Sequence, residues 1–128
     1  MIETDLRNII VPSSSSIPAI STRLYIGQLP DNVTYPCAVM FPISRLEMHE
    51  AEVITDRIQF SCFADYLSST SDIRDAIRSK IKRYYGTPST ASSYIIISAA
   101  VDSGTYIYDP SLLKHIEIMD MLIQYRSK

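Results

Sequence analysis

Glycine, histidine, cysteine and tryptophan are scarce in this chain of 128 residues, which has three glycines, two histidines, two cysteines and no tryptophan. Gly27, Gly86 and Gly104 lie far apart, which excludes a glycine-rich phosphate cradle and a dinucleotide fingerprint. No apolar run approaches the roughly 18 residues of a membrane span, and the first residues lack the pattern of a signal peptide. We therefore expect no membrane association, and synthesis and action in a cytoplasm.

The composition is that of one ordinary globular domain, spanning residues 1–128. Hydrophobic residues make up 46% and charged residues 20%, so a core can form without disulfides or metals. The formal net charge of -2 gives no reason to expect a general affinity for nucleic acid. Cys37 and Cys62 stand far apart in apolar, strand-like stretches, which favours two reduced, buried thiols over a disulfide or a reactive thiol.

Candidate chemistry is confined to the two histidines. His49 lies in the stretch RLEMHEAEVITD among three glutamates, Glu47, Glu50 and Glu52. Imidazole and carboxylate both bind transition metals, although a solvated acidic segment explains the same residues. His115 and Glu117 share one strand face and could act as a general base and the group that orients it, or be an ordinary polar pair. We expect no catalytic residue, no metal and no cofactor.

The stretch RIQFSCFADYLSSTSDIRDAIRSKIKRYYG predicts a strand, a turn and a helix. Apolar residues alternate with mostly polar ones in the strand, which indicates one buried face. The helix is expected to begin near Thr70, with Ser68, Ser69 or Ser71 as its N-cap, and to end at Gly86. Ser69 and Asp72 approximate a capping box. Its apolar face carries Ile73, Ile77 and Ile81. Its basic stripe carries Arg74, Arg78 and Lys82.

The rest of the chain adds one helix and four strands to this unit. IETDLRNIIVP predicts a short amphipathic helix, and RLYIGQLP predicts a strand. The next strand, YPCAVMFPIS, is bracketed by Pro36 and Pro42, which mark either strand boundaries or an edge of the sheet. The stretch RLEMHEAEVITD is either a long exposed loop or a pair of strand extensions. YIIISAAV is a strand bounded by DSGTYIYDP. In the last strand, HIEIMDMLIQYR, the alternation changes phase, which indicates a bulge or burial on both faces.

The order α-β-β-β-α-β-β predicts a single α+β domain, in which two helices pack on one face of a mostly antiparallel or mixed sheet of about five strands. Three stretches in this order resemble the tail terminator, or tail completion, proteins of long-tailed bacteriophages. They are RLYIGQLPDNVTYPCAVMFPIS, DRIQFSCFADYLSSTSDIRDAIRSKI and YDPSLLKHIEIMDMLIQYR.

The resemblance implies a virion structural protein without enzymatic activity. Such proteins form a ring, typically sixfold, on the head-proximal end of the tail tube, stop its polymerisation and present the surface that joins the head. The implied partners are further copies of the chain, the tail tube protein and a head-completion or neck protein, with DNA only as cargo passing through the lumen. A non-catalytic interaction module of the α+β class, or another neck or tail component, is the alternative.

A cyclic ring needs two different surfaces on each subunit, so sheet edges and charged loops are the expected contacts. The residues predicted at a partner or subunit interface are Glu47, Met48, His49, Glu50, Glu52, Val53, Ile54, Arg74 and Arg78. We expect residues 44–56 to be mobile until assembly orders them. The glutamates face the lumen, where they keep DNA from adhering, or they merely solubilise an exposed loop, or they pair with Arg74 and Arg78 of the neighbouring subunit.

Overall fold

A computed structural model describes residues 2–11, 20–48, 52–82, 84–87 and 93–127. Within these ranges two helices and five strands follow the predicted order α-β-β-β-α-β-β, which confirms the α+β class. The helices are α1 (Ile2–Ile10) and α2 (Leu67–Ile81). The strands are β1 (Leu24–Ile26), β2 (Cys37–Met48), β3 (Val53–Ala64), β4 (Tyr94–Asp109) and β5 (Lys114–Ser127).

The five strands form one mixed sheet in the order β1-β2-β3-β5-β4. Only β1 and β2 are parallel, and the other neighbours are antiparallel. β3 lies between β2 and β5 and pairs with both along its whole length. The last strand of the chain therefore inserts between β3 and β4, an arrangement that leaves β4 at one side of the sheet and β1 with β2 at the other.

One face of the sheet and both helices enclose the core. The alternation predicted for β3 is confirmed, since Ile58, Phe60, Cys62 and Ala64 are all buried. The predicted apolar face of α2 is confirmed as well, by the buried residues Ile73, Ile77 and Ile81. Burying each large apolar side chain stabilises the fold by roughly 1.5–3 kcal/mol, so this layer is the main source of stability.

The first helix is attached to the sheet by one of its own charged residues. Ile2, Leu6 and Ile10 are buried along one side of α1, as the helical spacing predicts. Arg7 Nε donates a hydrogen bond of 2.8 Å to the carbonyl oxygen of Leu24. A second nitrogen of the same guanidinium lies 3.1 Å from the carbonyl oxygen of Thr22. These bonds join α1 to the segment that enters β1.

The ends of α2 differ from the prediction. The helix begins at Leu67, ahead of Thr70, and its N-cap Tyr66 has an extended backbone and no side-chain cap. The Ser69 and Thr70 amides donate to the Tyr66 carbonyl instead, at 3.1 and 3.2 Å. The three candidate N-caps, Ser68, Ser69 and Ser71, therefore lie inside the helix, and the predicted N-caps and the capping box with Asp72 are wrong.

The predicted helix stop at Gly86 is wrong too. The helix ends at Ile81, and the Lys82 amide donates to the Arg78 carbonyl at 2.8 Å. Gly86 lies beyond the helix with φ +124, a left-handed conformation that glycine adopts without strain. It exchanges two backbone hydrogen bonds with Ile96 at the start of β4. Gly86 thus positions the fourth strand.

Pro42 lies inside β2 and does not end it, but it lies beyond Met40, where β1 no longer pairs with β2, so the predicted edge is confirmed and the predicted boundary is wrong. The register shifts between Pro42 and Ser44. The predicted limit of β4 is also wrong. β4 continues through the stretch DSGTYIYD. Its register with β5 shifts between Val101 and Ser103, and the pairing with β5 then continues to Asp109. The strand ends at Asp109, whose Oδ1 accepts hydrogen bonds within the turn.

The change of phase in β5 comes from burial on both faces. Its register with β3 is unbroken from His115 to Arg126, so β5 contains no bulge against β3. Met119, Met121, Ile123 and Tyr125 are buried on the helix side. Ile116 and Ile118 are half-buried on the other side. Glu117 also faces the helices and is 1% exposed.

Candidate interaction surfaces

The acidic stretch between the second and third predicted strands forms strand extensions, one of the two predicted forms. The ladder between β2 and β3 continues to the pair Met48 and Val53, so the described parts of residues 44–56 are regular strands and not an irregular loop. Beyond Met40 the outer side of β2 has no strand beside it among the described residues, because β1 ends at Ile26, opposite Met40. This stretch is one free edge of the sheet.

The predicted interface residues of this stretch have different environments. Glu47 and Glu52 are exposed. Ile54 packs against the core and Val53 is half-buried, so neither is fully available to a partner. Met48 belongs to the last pair of the ladder. His49 and Glu50 lie outside the described residues.

A buried carboxylate, whose burial the sequence did not predict, links the strands at the base of this hairpin by hydrogen bonds. Asp56 is 1% exposed, and both of its oxygens accept hydrogen bonds from Arg45, at 3.0 and 3.1 Å. Tyr125 Oη donates a third bond to Asp56 Oδ2 at 3.0 Å. The hydrogen bond with Asp56 raises the pKa of Arg45. Burial, followed by the charge of Asp56, raises the pKa of Tyr125.

Apolar side chains on the free part of β2 face solvent. Phe41 is 48% exposed, Ile43 46% and Leu46 66%. Neither face of the strand is covered here, since every described side chain from residue 41 to 47 is exposed. A strand with unpaired amides and carbonyls and with exposed apolar side chains is a template for pairing with another chain. The second half of β2 has these features, except at Pro42, which has no amide hydrogen.

The opposite side of the sheet repeats these features in β4. Its side chains are exposed from residue 100 to 108. The large apolar ones are Val101, Tyr106, Ile107 and Tyr108. Beyond the bridge between Gly86 and Ile96, no described strand pairs with the outer side of β4. Within the described ranges the sheet therefore has two free edges, one at each side.

A basic groove lies between α2 and this exposed half of β4. The groove has a volume of about 310 Å³ and is lined by Arg74, Arg78, Val101, Ser103, Gly104 and Met119. Within it the two predicted arginines differ in what they can bind. Arg74 donates two hydrogen bonds to Asp75 Oδ1 and lies 2.7 Å from Glu117 Oε2. Arg78 is exposed and forms no ion pair with the described residues. Among the described residues of the groove, Arg78 is thus the cation that no carboxylate engages.

Glu117 is held between the sheet and α2. Its Oε1 accepts a hydrogen bond of 2.8 Å from the Ser71 hydroxyl, and its Oε2 makes the ion pair with Arg74 without hydrogen-bond geometry. The hydrogen bonds to Asp75, and next the charge of Glu117, raise the pKa of Arg74. The ring of His115 lies against Tyr108, with 4.9 Å between centroids. Glu117 therefore binds α2 and does not orient His115.

The remaining candidates are the two cysteines, a metal-binding cluster and a membrane-spanning helix. Both cysteines are free and buried, as predicted, and burial raises the pKa of Cys37 to about 11 and raises that of Cys62 further. Among the described residues no three His, Cys, Asp or Glu side chains cluster as metal ligands. Within the same residues neither helix has the length and apolar character required to cross a membrane.

The fold occurs in a known particle. A solved structure titled "Virion of native gene transfer agent (GTA) particle" contains a chain that aligns with 93% of this chain and 83% of its own length. The TM-score is 0.62 and the sequence identity is 8%. This chain has the fold of a virion chain. No protein-family model and no curated protein sequence matches it.

Proposed function

We propose that this protein is a non-enzymatic structural component of a phage-like virion and acts there as a tail terminator. In this role copies of the chain form a ring, most simply a hexamer, on the head-proximal end of the tail tube. The ring stops further polymerisation of the tube and presents the surface that joins the head. Its location is therefore the virion, at the head-proximal end of the tail, after assembly in the host cytoplasm.

The likeness to a chain of a gene transfer agent virion is the observation that carries this proposal. It extends over 93% of the chain, so the whole domain and not a fragment has the fold of a virion chain. The three stretches that resemble tail terminators lie within the same domain and correspond to β1 with β2, β3 with α2, and β5. Fold and sequence pattern thus support the same class of protein.

The two free sheet edges support an assembly role independently of any resemblance. A monomer leaves the apolar side chains of both edges in water, which favours association. Because the edges differ from each other, contact between them is heterologous, and heterologous contacts close into rings when the rotation between subunits permits. The proposed partners are further copies of the chain, the tail tube protein and a head-completion or neck protein. DNA is only cargo in the lumen.

Electron microscopy of the purified protein mixed with its tail tube subunits tests the proposal. We expect rings at one end of each tube and tubes of limited length, whereas tube subunits alone should polymerise without limit. A matched control uses an unrelated small α+β protein at the same concentration. Tubes with unchanged length and no density at either end would show that the chain is not a terminator.

A non-catalytic interaction module with a soluble partner is the second candidate, because free apolar edges also suit binding to an extended peptide. The position of the gene separates the two. A place between genes for head completion and for the tail tube favours the terminator, and a place among metabolic genes favours the module.

A further inference from the structure

We infer that a second copy of this chain adds the outer edge of its β2 to the outer edge of β4, so that one sheet continues from copy to copy. The β2 edge consists of residues 41–47 and the β4 edge of residues 101–108. The inference rests on the proposed homo-oligomer and names its contact surface. It also gives the groove beside α2 a ligand, which is an acidic side chain of the adjacent copy.

The positions of the two edges favour a continuous sheet. The strand order β1-β2-β3-β5-β4 places β4 at one side, and β1 covers only the first part of β2 at the other. Both edges therefore present backbone groups that no described strand pairs with, and such groups pair most favourably with another strand. Because the edges lie on opposite sides of the same sheet, each copy can bind one neighbour at β2 and another at β4.

On the face of the sheet that the helices leave uncovered, both edges carry apolar side chains. Phe41 is paired with Gln59, and Ile107 with Ile116, in both cases on the side away from α2. Directly opposed residues point to the same face of a sheet, so a continuous sheet places Phe41 and Ile107 on one face. Both side chains are 48% exposed in the isolated chain. Their contact removes apolar surface of each copy from water.

Charges match on the face that the helices cover. Glu47 is paired with Ile54, which packs against the core, so its carboxylate lies on the helix side of the sheet. The groove with Arg78 lies on that side of β4 as well. Glu47 and Arg78 each form no ion pair with the described residues. A second copy that continues the sheet brings the two charges to one side of the interface.

A second copy is the occupant because both halves of the contact belong to this chain. Glu47 on the β2 edge and Arg78 of α2 beside the β4 edge are complementary in charge, and both edges carry backbone groups that can pair with a strand. Arg74 has a different role, since Asp75 and Glu117 already engage its guanidinium. Arg74 forms one wall of the groove and holds α2 against β5, and Arg78 binds the adjacent copy.

Sedimentation velocity of the full chain, alone and bound to tail tubes, tests the inference. We expect Glu47→Arg and Arg78→Glu each to weaken self-association by about tenfold or more, as coupled charge pairs do. The double exchange Glu47→Arg with Arg78→Glu should restore association. Ile107→Lys, which places a charge on the β4 edge, should abolish it.

Controls separate these effects from misfolding and from nonspecific charge effects. Lys80→Glu makes the same charge change on an exposed site of α2 that does not line the groove, and Asp31→Arg does so in an exposed loop. Both should associate like the unchanged chain, and circular dichroism should show every variant folded. Normal association of Ile107→Lys, or no restoration by the double exchange, overturns the inference. A chain that stays monomeric even on tail tubes overturns the proposed ring itself.

Discussion

Tyr125 Oη donates a hydrogen bond of 3.0 Å to Asp56 Oδ2 inside the core, between the neighbouring strands β5 and β3. The carboxylate is 1% exposed and also accepts two bonds from Arg45 on β2. Three strands are thus joined through one buried aspartate at the end of the sheet where the acidic hairpin begins. A buried charge is tolerated in a fold when its hydrogen bonds are complete.

Tyr125→Phe tests the contribution of this hydrogen-bond network to stability. Loss of the hydroxyl removes a hydrogen bond to a charged group, which costs about 1.5–3 kcal/mol of the free energy of unfolding. Tyr85→Phe is the matched control, because Tyr85 is 73% exposed and its change should cost less than about 0.5 kcal/mol. Urea denaturation measures both. Equal stability of the two variants would show that Arg45 alone satisfies Asp56.

Arg74→Met tests the ion pair between α2 and β5. The change leaves Glu117 buried with only the hydroxyls of Ser71, at 2.8 Å, and Thr70, at 3.5 Å, as hydrogen-bond donors. We expect a loss of about 3 kcal/mol in the free energy of unfolding, because an uncompensated charge remains in the interior. The double variant Arg74→Met with Glu117→Met should be more stable than the single one. Lys80→Met, at an exposed site of the same helix, is the control.

Ile77→Ala tests whether α2 packs on the sheet through its apolar face. Ile77 is 0% exposed, so truncation should cost about 2–5 kcal/mol. Ile77→Asp should unfold the domain, because it buries a charge without a partner. Ser79→Asp changes an exposed residue of the same helix and should leave the thermal midpoint nearly unchanged. A stable Ile77→Asp variant would contradict the orientation of the helix.

Stability should fall in alkaline solution because of the buried thiols. Burial raises the pKa of Cys37 from 9.0 to about 11, so the folded state holds this proton more tightly than the unfolded state. The contribution is fully present below about pH 9 and is lost as the pH rises from there towards 11. Between these pH values, the free energy of unfolding of Cys37→Ala should fall less than that of the unchanged chain. Urea denaturation at each pH measures it. Identical pH profiles would contradict the prediction.

A shortened hairpin tests the role of the acidic extension. Replacing residues 47–54 by Asn-Gly joins the opposed residues Leu46 and Thr55 through a two-residue turn and keeps Arg45 paired with Asp56. The variant should fold, with a loss of about 1–2 kcal/mol because half-buried Ile54 is removed. We expect it to fail in completing tails, scored by electron microscopy. Complete tails would show that the hairpin has no part in assembly.

Local periodicity predicted most of the fold. The alternation from Ile58 to Ala64 and the helical spacing of Ile73, Ile77 and Ile81 both follow from repeats of two and of about 3.6 residues, which are visible in any short window. The predicted strand limits were wrong where residues that disfavour strands are held in place by backbone pairing with a neighbouring strand. Pro42 and Gly104 usually interrupt strands, yet here a ladder to a long neighbouring strand continues past them.

By itself the sequence determined the element types, their order and the side of each element that faces the core, because these depend on the spacing of apolar residues along the chain. Tertiary structure alone decided that β5 lies between β3 and β4 and that Asp56 and Glu117 are buried. It also decided that carboxylates engage Arg74, whereas no carboxylate in the described part of the chain engages Arg78. A carboxylate within a strand has the same local pattern whether it meets water or a guanidinium. Its partner comes from a distant part of the chain, and only the packing of the whole sheet against α2 brings the two together.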